Sequence, residues 1–204
     1  MADNSGKGAG DAVIVPKIML IRHAEKPPED PPPHGVTAGG KRDAESLTVR
    51  GWQRAGALAA ALAPSSGSVS NDALAVPRFV FASRLAKHAG SRRPQQTVTP
   101  LIARLGKDLT VNFDVGKEEA DDLVAKVIAC DGVVLVCWEH AAMPPIVSAL
   151  LRRLPVARKS AAAVPADWPE PRFDLVWVFD RNPTSRDYRF SQQPQLLLAG
   201  DRPV

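Results

Sequence analysis

Cysteine is scarce in this 204-residue chain, and aromatic residues make up only 5% of it. The two thiols, Cys130 and Cys137, flank a strand-like run; they provide neither a disulfide framework nor a metal-ligand pair with the short spacer such sites use. Both are expected to be reduced core residues. Long apolar runs are also missing. The longest among the strand-like segments, Val133 to Trp138, falls far short of the ~20 residues that cross a bilayer. No charged start leads into an apolar stretch with a small-residue cleavage site, so a soluble, cytoplasmic protein is expected. Charge of one sign is not in large excess: 26 Lys and Arg against 22 Asp and Glu leave +4. The basic residues are scattered, and aromatics do not interleave with them as base-stacking platforms would, which argues against a nucleic-acid partner. The tightest basic group is Arg92-Arg93, preceded by Arg84, Lys87 and His88, and it suits a small anion such as phosphate.

What remains is the composition of an ordinary globule, 45% hydrophobic and 24% charged, long enough for one α/β domain. Residues 1–12 are small and polar and are expected to be a disordered tail, leaving 13–204 as a single domain. Residues 17–21 predict a short buried strand. Pro27 to Gly40 holds five prolines and three glycines and must be a long loop, because proline removes amide donors and glycine weakens regular structure. Thr48 is placed to cap a helix running to about Leu62, with Trp52, Ala55, Ala59 and Leu62 as its buried stripe. Further strands are predicted at 77–82, 109–113, 133–138 and 173–179, and a closing edge strand at 195–199. Helices are predicted over 94–103, 117–129 and 143–153. Strand and helix alternate, which predicts a mostly parallel sheet covered by helices on both faces.

Two histidines follow strand-like runs directly: His23 after Ile18 to Ile21, and His140 after Val133 to Trp138. Ligands of open parallel sheets bind beyond the carboxyl ends of the strands, so both imidazoles belong on one rim if both strands are central and parallel. Arg22 adjoins the first histidine and Arg93 precedes a helix start. Guanidinium forks match phosphate oxygens, and a neutral imidazole nitrogen can attack phosphorus.

Four segments in order carry a resemblance. Leu20-Ile21-Arg22-His23-Ala24-Glu25-Lys26 is similar to the signature of the histidine phosphatase superfamily, in its phosphoglycerate mutase-like branch, with Ala24 in place of the family's glycine. Leu47-Thr48-Val49-Arg50-Gly51 resembles that family's Leu-Thr-x-x-Gly helix opening. Arg93-Pro94-Gln95-Gln96-Thr97 resembles the segment with its second phosphate arginine, and Val133 to His140 the strand that ends in its second histidine. The resemblance implies a three-layer sandwich and a phosphomonoester hydrolase that works through a phosphohistidine intermediate. His23 would be the nucleophile, Arg22 and Arg93 would clamp the phosphoryl oxygens, and His140 would help neutralise the transferring group. No metal or other cofactor is needed by that scheme, and a small phosphorylated substrate or inorganic phosphate would be the partner.

The proton donor for the leaving oxygen is left open. The family's usual acid beside the second histidine is replaced by Ala141, and Glu139 and Glu25 are the nearest candidates. An unresolved acid also leaves room for a weakly active or inactive phospholigand-binding protein on the same fold, or for a phosphatase of phosphorylated protein side chains. His34 is expected to be a loop residue, and Trp52, Trp138, Trp168 and Trp177 are expected to pack.

Overall fold

The computed structural model describes residues 14–85, 90–170 and 172–204. The expected tail at 1–12 and the basic residues Lys87 and His88 lie outside the described residues. Strands β1 (Lys17–Arg22), β2 (Phe79–Ala82), β3 (Thr110–Asn112), β4 (Val134–Trp138), β5 (Leu175–Arg181) and β6 (Tyr188–Pro194) form one sheet among the described residues, in the order β3-β2-β4-β1-β5-β6. The first four in that order run parallel, β5 is antiparallel to β1, and β6 is antiparallel to β5. The helices are α1 (Val49–Leu62), α2 (Arg93–Leu105), α3 (Ala120–Ile128), α4 (Met143–Arg153) and the short α5 (Arg158–Ala162).

Alternation along the strands divides the core into two layers, because successive strand side chains point to opposite faces. Ile18, Leu20, Val134, Val136 and Trp138 pack with Leu123, Val124 and Val127 of α3 and Ile146, Val147 and Leu150 of α4. Met19, Ile21, Leu135 and Cys137 face the other way, onto Leu58, Ala59 and Leu62 of α1 and Val98 and Leu101 of α2. β1 and β4 are therefore apolar on both sides, as continuous hydrophobic runs at the centre of a covered sheet should be. The three-layer α/β sandwich predicted from the sequence is the fold observed. Cys130 and Cys137 are free and buried, and burial raises the Cys130 thiol to about 11 and the Cys137 thiol further.

Two elements differ from the sequence expectation. The last strand is not at 195–199 but at Tyr188–Pro194, where its backbone pairs with β5 over seven residues. Its sequence, YRFSQQP, is polar because it forms the sheet edge and buries only Tyr188 fully; pairing, not hydrophobicity, makes it a strand. Residues 158–162 form a short helical turn that no periodicity in the sequence marks.

A buried ion cluster ties the chain end to the domain. Arg54, on α1 and 3% exposed, donates to both oxygens of Glu25, to both oxygens of Asp201 and to Gln195. Burial favours the neutral carboxyl, but Arg54 and the amides of Leu197 and Leu198 outweigh it and hold Asp201 down at about 2. Removing one member of such a cluster leaves the opposite charges buried and uncompensated. Arg54→Met should therefore lower stability by ~3–5 kcal/mol, measured by chemical denaturation; a change within experimental error would show the cluster to be energetically idle.

Candidate active site

β1 and β4 are neighbours and parallel, with Arg22 in register with Trp138. The His23 amide extends the ladder by donating to the Trp138 carbonyl at 2.9 Å. The two strands thus release His23 and His140 at the same edge of the sheet, His140 beginning the 3-10 turn that leads into α4.

Three of the segments singled out in the sequence interlock around His23. Thr48 caps α1 by accepting from the Gly51 amide at 3.1 Å, and both its own amide and its hydroxyl donate to the Glu25 carbonyl. Gly51 is required there because a Cβ would stand 2.6 Å from that same carbonyl. From α2, the Thr97 hydroxyl accepts from the Ala24 amide at 2.9 Å and donates to the Arg93 carbonyl at 2.7 Å, while Gln96 accepts from the Leu47 amide at 2.8 Å. The Leu-Thr-x-x-Gly opening and the Arg93–Thr97 segment are therefore clamps on the loop that carries the histidine. Ala24 is fully buried and does not occupy the left-handed region, so the methyl that replaces glycine's hydrogen is accommodated without backbone strain.

His23 is 3% exposed. Its Nδ1 lies 2.8 Å from the Ala24 carbonyl, which can only accept, so Nδ1 carries the proton. Burial above all, reinforced by the positive charges of Arg22, Arg93 and Lys26 against the Ala24 bond, lowers the imidazolium pKa to about 3. At neutral pH the ring is uncharged and Nε2 bears a lone pair.

Arg22 is buried under the ring of Phe173, whose centroid lies 4.0 Å from the guanidinium carbon. Its Nη2 donates to Glu170 at 3.4 Å, and its Nε and Nη1 have no partner among the described residues. Arg93 is fastened to the Ala44 carbonyl at 2.5 Å and to Ser91 at 3.3 Å, its Nη2 pairs with Glu45 at 3.5 Å, and its Nε has no partner among the described residues. These three nitrogens are the buried side-chain polar atoms left unsatisfied among the described residues, and all belong to two arginines that line one cleft. Arg92, its neighbour, is exposed and faces Asp43 at 3.5 Å instead. The cleft measures about 900 Å³, and the proline-rich loop with Lys26 and His34 forms its wall.

His140 does not line that cleft and meets it through Glu170. Its Nε2 lies 2.7 Å from Glu170 Oε1, and burial, followed by the charge of Arg22, lowers its pKa against the pull of Glu170. Of the two carboxylates proposed from the sequence, Glu25 has both oxygens occupied by Arg54 and accepts from Arg50 at 3.2 Å, in a separate hollow shared with Asp201. Glu139 is half-buried at the entry to the turn, with no side-chain hydrogen bond among the described residues. Sequence reasoning missed Glu170. It sits in the Trp168-Pro169-Glu170 segment, where no periodicity or motif marks it.

No protein-family model matches the chain, and no curated protein matches it. Solved structures do. A phosphoserine phosphatase mutant of Entamoeba histolytica in complex with phosphoserine superposes with a TM-score of 0.52 at 10% identity, over 91% of this chain and 100% of the other. SixA of Agrobacterium tumefaciens, assigned as a phosphohistidine phosphatase, gives 0.49 at 17% identity over 82% and 93% of the two chains. Mycobacterial hydrolase 2 gives 0.45 at 14% identity over 86% and 88%. The chain has the histidine phosphatase fold.

The depressed His23 pKa has a consequence for stability. Between about 6.5 and about 3 the unfolded chain holds a proton on this imidazole that the folded chain does not, so stability is lost as pH falls through that window. From about pH 7 to about pH 5, the wild type should lose about 2 kcal/mol more than His23→Gln. Urea unfolding at the two pH values measures the difference; parallel losses would mean that His23 is not held neutral by the fold.

Proposed function

We propose that this protein is a phosphomonoester hydrolase in which His23 is the nucleophile. The observation that carries the reading is the set of buried guanidinium nitrogens on Arg22 and Arg93, unpartnered and sharing one cleft beside a buried neutral imidazole. Buried polar groups are satisfied in folded proteins almost without exception, and a tetrahedral dianion is the ligand that planar, forked cations accept best. The phosphoserine complex of the same fold supports a small phosphorylated substrate.

In the proposed reaction, the Nε2 lone pair of His23 attacks phosphorus as the bond to the ester oxygen breaks. The Ala24 carbonyl keeps the proton on Nδ1, so the ring presents its free nitrogen and has a partner for the positive charge that develops when the phosphohistidine forms. Arg22, Arg93 and the Nε2–H of His140 bind the equatorial oxygens, where charge accumulates in the transition state. Water then attacks the phosphohistidine, the P–N bond breaks with its electrons returning to Nε2, and inorganic phosphate departs.

His23→Ala should abolish turnover of an activated aryl phosphate, and no phosphohistidine should form. Arg22→Met and Arg93→Met should each lower kcat by ~10²–10³-fold, the loss of one preorganised donor set. Quenching the wild type in base during turnover and locating the phosphoryl group by mass spectrometry tests the assignment. Phosphate binding without turnover of any ester by the wild type would instead establish a phospholigand-binding protein.

A further inference from the structure

Resting on the hydrolase reading, the geometry points to Glu170 as the acid that protonates the leaving oxygen, with a substrate's phosphoryl group displacing it from Arg22 and His140. One carboxylate oxygen, Oε1, bridges the two groups assigned to the phosphoryl cradle, 3.4 Å from Arg22 Nη2 and 2.7 Å from His140 Nε2. An anion already occupies part of the phosphoryl position, so a dianionic substrate must take over both contacts.

The placement suits a donor. The Arg22 side chain is 1% exposed and that of Glu170 is 57% exposed. The carboxyl thus stands on the solvent side of the cradle, and it lines the cleft, whereas His23 is buried behind. Attack and departure are in line, so a nucleophile on the buried side places the ester oxygen on the solvent side. Glu170 is exposed, while Trp168 and Arg172 on either side are anchored. The Trp168 indole packs at a tilt against Trp177, ring centres 4.8 Å apart, and donates to the Arg172 carbonyl at 2.8 Å, the Arg172 amide donates to the Pro169 carbonyl at 2.9 Å, and Arg172 pairs with the buried Asp174.

In the proposed step Glu170 enters as the carboxylic acid, its contacts to Arg22 and His140 taken over by the phosphoryl oxygens. As the P–O bond breaks, its electron pair takes the Glu170 proton and leaves as the alcohol. The resulting carboxylate then accepts a proton from the water that attacks the phosphohistidine, which restores the acid and releases phosphate. Substrates with poor leaving groups, the phosphate esters of aliphatic alcohols, are the class that needs such a donor; activated aryl esters do not.

The test compares phosphoserine with 2,4-dinitrophenyl phosphate as substrates of the wild type, Glu170→Gln and Glu170→Asp. Glu170→Gln should lower the single-turnover rate of phosphohistidine formation from phosphoserine by ~10²–10⁴-fold and leave the rate of its formation from the dinitrophenyl ester within a few-fold, and Glu170→Asp should recover part of the loss. An equal change on both esters, or tighter inhibition by inorganic phosphate with kcat unchanged on both, would make Glu170 a resident counter-ion only and overturn the assignment. Phosphohistidine on His23 together with that equal change would leave the hydrolase reading standing. A wild type inactive on the dinitrophenyl ester would remove both.

Discussion

Parallel pairing of β1 with β4 is the constraint on which the site depends. The register that sets Arg22 beside Trp138, closed by the His23 amide on the Trp138 carbonyl, brings two histidines more than a hundred residues apart to one sheet edge. Both strands are buried on both faces, so a one-residue slip would exchange the residues of the two core layers and is strongly opposed. The rigidity of the site is thus inherited from the packing of Leu20, Val136 and Trp138 on one face and of Ile21, Leu135 and Cys137 on the other.

Against that rigid edge the fold spends stability on charge. A guanidinium buried as deeply as that of Arg22, with two nitrogens lacking partners, is held against a large desolvation cost. Burial accordingly lowers its pKa, and Glu170, then Glu25, oppose the shift. The stack on Phe173 and one contact to an exposed carboxylate offset only part of the cost, whereas the buried Arg54 is satisfied on every side by Glu25, Asp201 and Gln195. The two buried arginines among the described residues therefore differ in kind: Arg54 is saturated and structural, Arg22 is unsaturated and open to a cleft. This contrast separates a site from a structural network here, more sharply than burial or sequence context does.

Much of this was legible in the chain, for physical reasons. Continuous apolar runs marked β1 and β4, because only strands covered on both faces can afford them, and the residues just past their ends were the natural site. Thr48, Gly51, Gln96 and Thr97 were visible as motif members, and the structure shows why those residue types stand there: each holds backbone of the His23 loop or of the α1 entry. β6 was not legible at its true position because an edge strand with solvated faces carries no hydrophobic alternation. Strand order was hidden because pairing is set by contacts distant in sequence. Glu170 was hidden for the same reason: it reaches Arg22 across 148 positions only because β5 inserts beside β1. Glu25, close to His23 in sequence, was drawn instead to Arg54.

The central claim is that Arg22, Arg93 and His140 form a cradle for a phosphoryl group presented to His23 Nε2. A crystal structure with orthovanadate, which takes the geometry of phosphoryl transfer, tests it most directly. Vanadium bound to His23 Nε2, its equatorial oxygens accepting from Arg22 Nε or Nη1, Arg93 Nε and His140 Nε2, is the predicted result. Vanadate held elsewhere, with those guanidinium nitrogens still unpartnered, would contradict it.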